Sequence, residues 1–391
     1  MKAAIILPTY NEKDNIEPMI TVLQKEVFPT IKNYEMHIVV VDDSSTDGTS
    51  QIVEKLVDRY AKNLHLIKNG PKEGLGAAYI RGMSQTIEKL NADVLFEMDA
   101  DGQHDPQKIP VFLKKIDEGY DMVIGNRFSD GGSIPQNWPT LRKAYSIIAN
   151  LFVRAVLGRF HIHDWTGGYR ALKKEVFLKE KEKLKGFKGY TFQVAFLHNV
   201  VKDGYRVAEV PFHFTDRTLG KSKIASGEYI FNLLRYILTA RFWELVRSPF
   251  LKYAITGFLG YLINAVSLEV FSAGFAFHTF LAAVLASELS IIWNFFLNNF
   301  WSFSKYQVTS PGRFLLKFLQ FNLVSAGSVL INSTIVFLGT HLFGNTTFVR
   351  QLSLIIAIGF FVIPYSYSMY NIFIWKRWRI SFLARFQDMV G

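Results

Sequence analysis

Val94-Leu95-Phe96-Glu97-Met98-Asp99-Ala100-Asp101-Gly102-Gln103-His104-Asp105-Pro106 reads as a buried strand running into a turn that carries two carboxylates one residue apart. An apolar run bounded by Gly and Pro is the pattern of a strand ended by a turn. Two carboxylates at such an end can aim at a single cation. Hard divalent cations take oxygen ligands and are commonly held by one or two carboxylates plus substrate phosphates. Gln103 adds an amide oxygen to the set. Asp99, Asp101 and Gln103 are therefore candidate ligands for Mg²⁺ or Mn²⁺.

Working outward, Ala3–Leu7 reads as a strand ended by Pro8, and Glu35–Val41 as one ended by Asp42-Asp43-Ser44. Leu64–Ile67 is a further strand. Helical patterns near Asn15–Glu26, Gly48–Lys62, Gly76–Lys89 and Pro106–Glu118 separate the strands. Alternating strands and helices imply an α/β fold with a largely parallel sheet covered on both faces. Ligands of such sheets sit at the carboxyl ends of the strands. Pro8–Glu12, Asp42–Asp43 and Asp99–Asp101 all fall there, which outlines a nucleotide-sized cleft. Gly74-Leu75-Gly76 lacks the third glycine of a dinucleotide fingerprint and does not follow the first strand. Its glycines suit close backbone approach at a helix start.

The chain has 391 residues, a net charge of +11 and no cysteine, which excludes disulfides, thiolate metal sites and cysteine nucleophiles. The apolar run in the opening MKAAIILPTYNE is too short for a signal peptide, so the soluble part is expected to stay on the side where it is made. From about Phe250 onward apolar stretches dominate. Leu251–Phe275, Phe280–Phe303, Leu315–Phe343 and Phe348–Trp375 are each long enough to cross a bilayer. Glu269 and Glu288 interrupt the first two. Basic residues cluster around Lys305 and Arg313 and in the tail at Lys376-Arg377-Trp378-Arg379. The positive-inside rule then puts the middle loop and both termini in the cytoplasm, in a multi-pass cell-membrane protein. The positive charge suits a membrane surface, and no nucleic-acid-binding signature is present. Before the first span, Glu228–Val246 sets Tyr229, Ile230, Leu233, Leu234, Ile237 and Leu238 at helical spacing among Arg235 and Arg241, the pattern of a helix lying in the headgroup layer. The apolar half also repeats itself: Leu262-Ile263-Asn264 recurs as Leu330-Ile331-Asn332, and Asn299-Phe300-Trp301 has an echo in Asn371-Ile372-Phe373.

Leu7-Pro8-Thr9-Tyr10-Asn11-Glu12, Val41–Thr49 (VDDSSTDGT) and Met98-Asp99-Ala100-Asp101 together resemble the family-2 glycosyltransferases of the GT-A fold. Gly74–Met83, Gly125-Asn126-Arg127-Phe128, Asp164–Arg170, Gly189–Gln193 and Asp216–Lys223 are similar to the dolichyl-phosphate (polyprenyl-phosphate) mannosyltransferase group of that family. The later half resembles the four-helix GtrA-like membrane family. The resemblance implies a GT-A domain over 1–226, amphipathic interfacial helices over 227–249 and a four-span membrane domain with a basic tail over 250–391.

It further implies metal-dependent, inverting transfer of mannose from GDP-mannose to dolichyl or polyprenyl phosphate. Pro8, Tyr10, Glu12, Asp42, Asp43 and Gly74 would hold the nucleotide. Asp99, Asp101 and Arg127 would be catalytic. Arg127, Arg142, Arg217, Lys221 and Lys223 would grip the acceptor phosphate. UDP-glucose is the alternative donor, and a lipid-linked-sugar transporter with a regulatory soluble domain is the alternative of another class. Ala195 departs from the family, where many relatives carry a carboxylate. The Gln-x-x-Arg-Trp element of processive polysaccharide synthases is missing, which argues against a polymer product.

Overall fold

The computed structural model describes residues 1–68, 74–187, 189–216, 227–344 and 346–378. Arg217, Lys221 and Lys223 lie outside them. The chain divides into two compact units, Met1–Arg241 and Phe242–Gly391.

The first unit is built on a seven-stranded sheet. Its strands are β1 (Lys2–Thr9), β2 (Glu35–Asp42), β3 (Leu64–Lys68), β4 (Val94–Glu97), β5 (Met122–Asn126), β6 (Arg170–Lys173) and β7 (Val207–Pro211), in the order β3-β2-β1-β4-β6-β5-β7. Only β6 runs antiparallel to its neighbours. The helices of this unit are α1 (Lys13–Val22), α2 (Thr49–Arg59), α3 (Leu75–Leu90), α4 (Ile109–Asp117), α5 (Thr140–Leu157), α6 (Lys174–Leu184) and α7 (Gly189–Lys202).

Side chains alternate across a strand. Ala3, Ile5 and Leu7 of β1 therefore join Ile38 and Val40 in the core under one sheet face, with Ile16, Ile20, Val53 and Phe112 from the covering helices. Ala4 and Ile6 join Val39 and Val41 in the core on the other face, with Tyr79, Met83, Val153, Phe177 and Phe196. A strand covered on both sides must be apolar throughout, which is why β1 reads as an unbroken run. The parallel register sets Thr9 beside Asp42 and Ile6 beside Glu97, so β1, β2 and β4 end along one edge.

α8 (Gly227–Val246) follows, and the division between the units falls within it. Leu233, Tyr236 and Ile237 pack on the first unit's core. The second unit is helical: α9 (Pro249–Glu269), α10 (Thr279–Leu297), α11 (Pro311–Phe343), α12 (Thr347–Ile356) and α13 (Ile363–Met369). Among the described residues, Pro311–Ile331 and Ala357–Ile374 are long and apolar enough to cross a membrane. Glu269 ends α9 and is exposed, as is Glu288 on α10.

Asn299-Phe300-Trp301 and its echo Asn371-Ile372-Phe373 occupy matching places. Asn298–Ser302 and Tyr370–Ile374 are both π-helical turns that close a helix. Buried Asn299 accepts hydrogen bonds from the Val308 amide at 2.8 Å and from Trp375 Nε1 at 3.2 Å. Phe303 stacks on Trp375 at 4.2 Å.

Candidate active site

Two loops at the ends of β1 and β2 interlock. The Asn11 amide donates to Ser45 Oγ at 2.9 Å, and Asn11 Oδ1 accepts from the Thr46 amide at 2.9 Å. The Lys13 amide donates to Asp47, whose other oxygen accepts from Thr49. Asn11 and Gly48 both adopt positive φ, 59° and 99°, conformations suited to Asn and Gly. Asp42 is 2 % exposed and anchors this knot. Its carboxylate accepts from Thr9 Oγ1 at 3.0 Å, from the Ser45 amide at 3.1 Å and from Ser50 Oγ at 2.6 Å. Its oxygens hold the loop, and Asp43 is the next carboxylate along this edge. Pro8, Tyr10 and Glu12 are half-buried on the same edge. Glu12 is itself tied by its amide to Thr49 Oγ1 at 3.0 Å.

The acid pair sits at the end of β4. Asp99 is about a third exposed, and Asp101 is buried. Asp101 Oδ1 accepts from the Gln103 amide at 3.1 Å, a tight turn permitted by Gly102 at φ 78°. Gln103 Nε2 donates to the Thr215 carbonyl at 3.3 Å, and Thr215 Oγ1 donates to the Gly102 carbonyl at 3.0 Å. The segment after β7 is thus clamped onto the acid turn. Among the described residues no three His, Cys, Asp or Glu side chains converge as a metal cage. Two carboxylates and an amide oxygen in one turn are an all-oxygen, incomplete donor set. That fits a hard cation whose remaining ligands are phosphate and water.

His104 Nδ1 accepts the Asp99 backbone N–H at 3.0 Å, and its ring stacks on Tyr169 at 4.9 Å. Burial lowers its pKa to about 4, so the ring is neutral with its proton on Nε2. It fixes the backbone from which Asp99 projects.

Gly74 caps the start of α3 at φ 96°, beside the acid turn through Tyr79, whose hydroxyl reaches Asp99 at 3.4 Å. Gly76 permits the close approach expected of it. A Cβ there would lie 2.7 Å from the Phe187 carbonyl oxygen.

Arg127 follows β5. Its Nε and Nη2 form a forked pair with both oxygens of Asp164, at 2.7 and 2.8 Å, and both residues are buried. Nη2 also reaches Thr166 Oγ1 at 2.9 Å. Asp164 accepts in addition from the Gly167 amide at 3.0 Å. The Arg127 guanidinium thus holds the loop of residues 164–168 against β5. Asn150 of α5 extends the link, accepting from the Trp165 amide at 2.8 Å. Glu209 of β7 supports the loop from behind through the His163 and Asp164 amides and His163 Nδ1. Neither Asp164 nor Glu209 carries a sequence signal for this, because their partners are remote in the chain.

Arg142 lies with its guanidinium 3.8 Å from the centroid of the Trp138 ring. Trp138 Nε1 donates to Asp216 at 3.3 Å, so the loop of residues 129–139 is joined to the segment that leads into Arg217.

Both halves of the chain match known families. Residues 4–179 fit the model of "Glycosyl transferase family 2" and residues 252–375 that of "GtrA/DPMS, transmembrane domain". The chain is 34 % identical over 347 residues to the dolichol-phosphate mannosyltransferase of Pyrococcus furiosus, covering 87 % of this chain and 92 % of the relative. It is 39 % identical to the polyprenol monophosphomannose synthase of Mycolicibacterium smegmatis, over 58 % of this chain and 82 % of the relative. The undecaprenyl-phosphate mannosyltransferase of Micrococcus luteus is 37 % identical over 63 % of this chain and 98 % of its own length. Among solved structures, mannosyl-3-phosphoglycerate synthase from Rubrobacter xylanophilus superposes with a TM-score of 0.47 at 18 % identity, over 63 % of this chain and 75 % of that one. The chain belongs to glycosyl transferase family 2, as a membrane-bound glycosyltransferase of the dolichol-phosphate mannosyltransferase kind with a GtrA/DPMS transmembrane domain behind its GT-A catalytic domain.

Proposed function

We propose that the protein transfers mannose from GDP-mannose to a dolichyl or polyprenyl phosphate at the cytoplasmic face of the membrane. The observation that carries this is the clamp between the acid turn and the segment after β7, where Gln103 and Gly102 meet Thr215. It brings the carboxylates at the end of β4 beside the chain that leads into Arg217, Lys221 and Lys223. A donor diphosphate and an acceptor phosphate then share one rim. The names of the relatives support mannose and a polyprenyl phosphate as the two substrates.

In this reading the interlocked loops of β1 and β2 hold the nucleotide, with Pro8, Tyr10, Glu12 and Asp43 at the surface and Asp42 as their anchor. Gly74 lets the start of α3 approach the diphosphate. Asp99, Asp101 and Gln103 are the ligands for Mg²⁺ or Mn²⁺, which when bound supplies charge neutralisation at the departing diphosphate. An acceptor phosphate oxygen bonds to the anomeric carbon as the bond to the nucleoside diphosphate breaks, with inversion. A phosphate monoester is already anionic near neutral pH, so no strong base is required. Arg142, Arg217, Lys221 and Lys223 grip that phosphate. Arg127 positions the loop of residues 164–168.

The domains are a catalytic part over 1–226, an interfacial segment over 227–249 and a membrane part over 250–391. The second unit crosses the bilayer four times, with the basic loop at Lys305 and Arg313 and both termini in the cytoplasm.

The test is transfer of labelled sugar from GDP-mannose or UDP-glucose to a polyprenyl phosphate by the purified full chain. Mannosyl lipid with little glucosyl lipid supports the reading. Glucosyl lipid alone replaces the donor, and no sugar transfer from either donor overturns it.

A further inference from the structure

A cavity of ≈ 500 Å³ lies in the first unit between the start of α7 and one side of α8. Phe187 and Tyr236 form its apolar walls, and Thr191, Asn232, Arg235 and Thr239 line it with polar groups. Thr191 is 4 % exposed, and its Oγ1 has no hydrogen-bond partner among the described residues. A buried hydroxyl left without a partner is costly unless a ligand or water satisfies it. Thr191 stands in the first turn of the 14-residue α7, where backbone N–H groups and the helix dipole favour an anion. No ion pair engages the Arg235 guanidinium among the described residues. Three features that favour negative charge therefore border one cavity: an arginine fork, an unpartnered hydroxyl and the positive end of a helix.

The other faces of α8 give the cavity a depth. Ile230, Phe231, Leu234 and Leu238 are exposed along one face. Leu233, Tyr236 and Ile237 are packed against the core on another. Asn232, Arg235 and Thr239 form the strip between them, as helical spacing requires. A helix with such an exposed apolar face lies in the interface with that face buried. The strip, and the cavity it lines, then sits at the level of lipid phosphates.

We propose that this cavity binds the phosphate headgroup of an anionic bilayer phospholipid, separately from the two substrates. The bound headgroup stiffens the start of α7. That turn packs directly on α3, with the Phe187 carbonyl over Gly76 and Phe192 stacked on Tyr79. Occupancy is thereby transmitted to the helix start beside the donor site.

The experiment uses the full chain in nanodiscs of phosphatidylcholine with and without phosphatidylglycerol. Native mass spectrometry reads the phosphatidylglycerol retained after gentle delipidation, so the answer does not depend on sugar transfer. Wild type retains the lipid, and Arg235→Gln lowers retention about tenfold, the scale of one charge-assisted contact. Thr191→Val, which keeps the side-chain volume, lowers it in the same direction. Equal retention by wild type and Arg235→Gln overturns the proposal. Loss of the lipid on adding inorganic phosphate at concentrations matched to the lipid also overturns it, because the cavity would then select a free anion.

Discussion

Arg127 and Asp164 face each other as a buried fork, Nε to Oδ2 at 2.7 Å and Nη2 to Oδ1 at 2.8 Å, although 37 residues separate them. The pair joins the end of β5 to the loop before β6. Removing one partner of a buried pair leaves an uncompensated charge, which costs about 3–5 kcal/mol. Asp164→Ala is expected to lose that much stability in a thermal or denaturant melt of the purified protein. Arg127→Lys keeps the charge but not the fork. It is expected to fold and to lose transfer rate as the loop of residues 164–168 loosens, which a kcat measurement checks.

Gly76 lies under the start of α7. A methyl group there would come within 2.7 Å of the Phe187 carbonyl oxygen and 2.8 Å of the Phe192 ring. Overpacking of this kind costs about 1–3 kcal/mol. Gly76→Ala is expected to lower the melting temperature and weaken donor-nucleotide binding together, measured by melt and by titration calorimetry. Leu75→Ala alters an exposed neighbour and is expected to leave both nearly unchanged.

His37 and His65 meet across β2 and β3, Nδ1 to Nε2 at 3.2 Å. Burial lowers the pKa of His37, against the raising pull of Glu35. Burial, and then the His37 charge, lowers that of His65. Both folded-state values lie below the ordinary imidazole value, so the unfolded chain takes up these protons first as pH falls. Their contribution to stability is complete above about pH 6.5 and is lost as the pH drops below it. Melts at neutral pH and at about pH 5 are expected to show this loss, and His65→Gln to make it smaller.

The acid turn gives the fourth prediction. Asp101→Asn keeps the shape and removes one negative charge. It is expected to lower kcat by about a hundredfold or more, as loss of a group that stabilises a charged transition state does. The buried Asp101 side chain remains able to accept from the Gln103 amide, so the melt is expected to move little.

The sequence made the sheet edge legible because its signals are local. Apolar runs stop at Pro8, Asp42 and Asp99, and β1, β2 and β4 end within a residue or two of those positions. β6 was not legible. Arg170-Ala171-Leu172-Lys173 is short, has charged ends and owes its place to pairing with β4 and β5. The ion pair of Arg127 was not legible for the same reason. A basic residue after a strand suggests a phosphate ligand, and only the folded chain reveals Asp164 opposite it. The part Asp42 plays in holding the loop was not legible either, because its four hydroxyl and amide donors come from Thr9, Ser45 and Ser50, which fold back onto it. The echo of Asn299-Phe300-Trp301 in Asn371-Ile372-Phe373 was legible, and both stretches proved to lie in helix-closing π turns.

The most direct measurement is a comparison of wild type and Asp99→Asn, Asp101→Asn in one membrane-reconstituted assay with labelled GDP-mannose, a polyprenyl phosphate and Mg²⁺ or Mn²⁺. The account expects mannosyl lipid from the wild type, its loss on chelation, and its near-disappearance in the double variant despite an unchanged melt. Full-rate transfer by that folded double variant would contradict it.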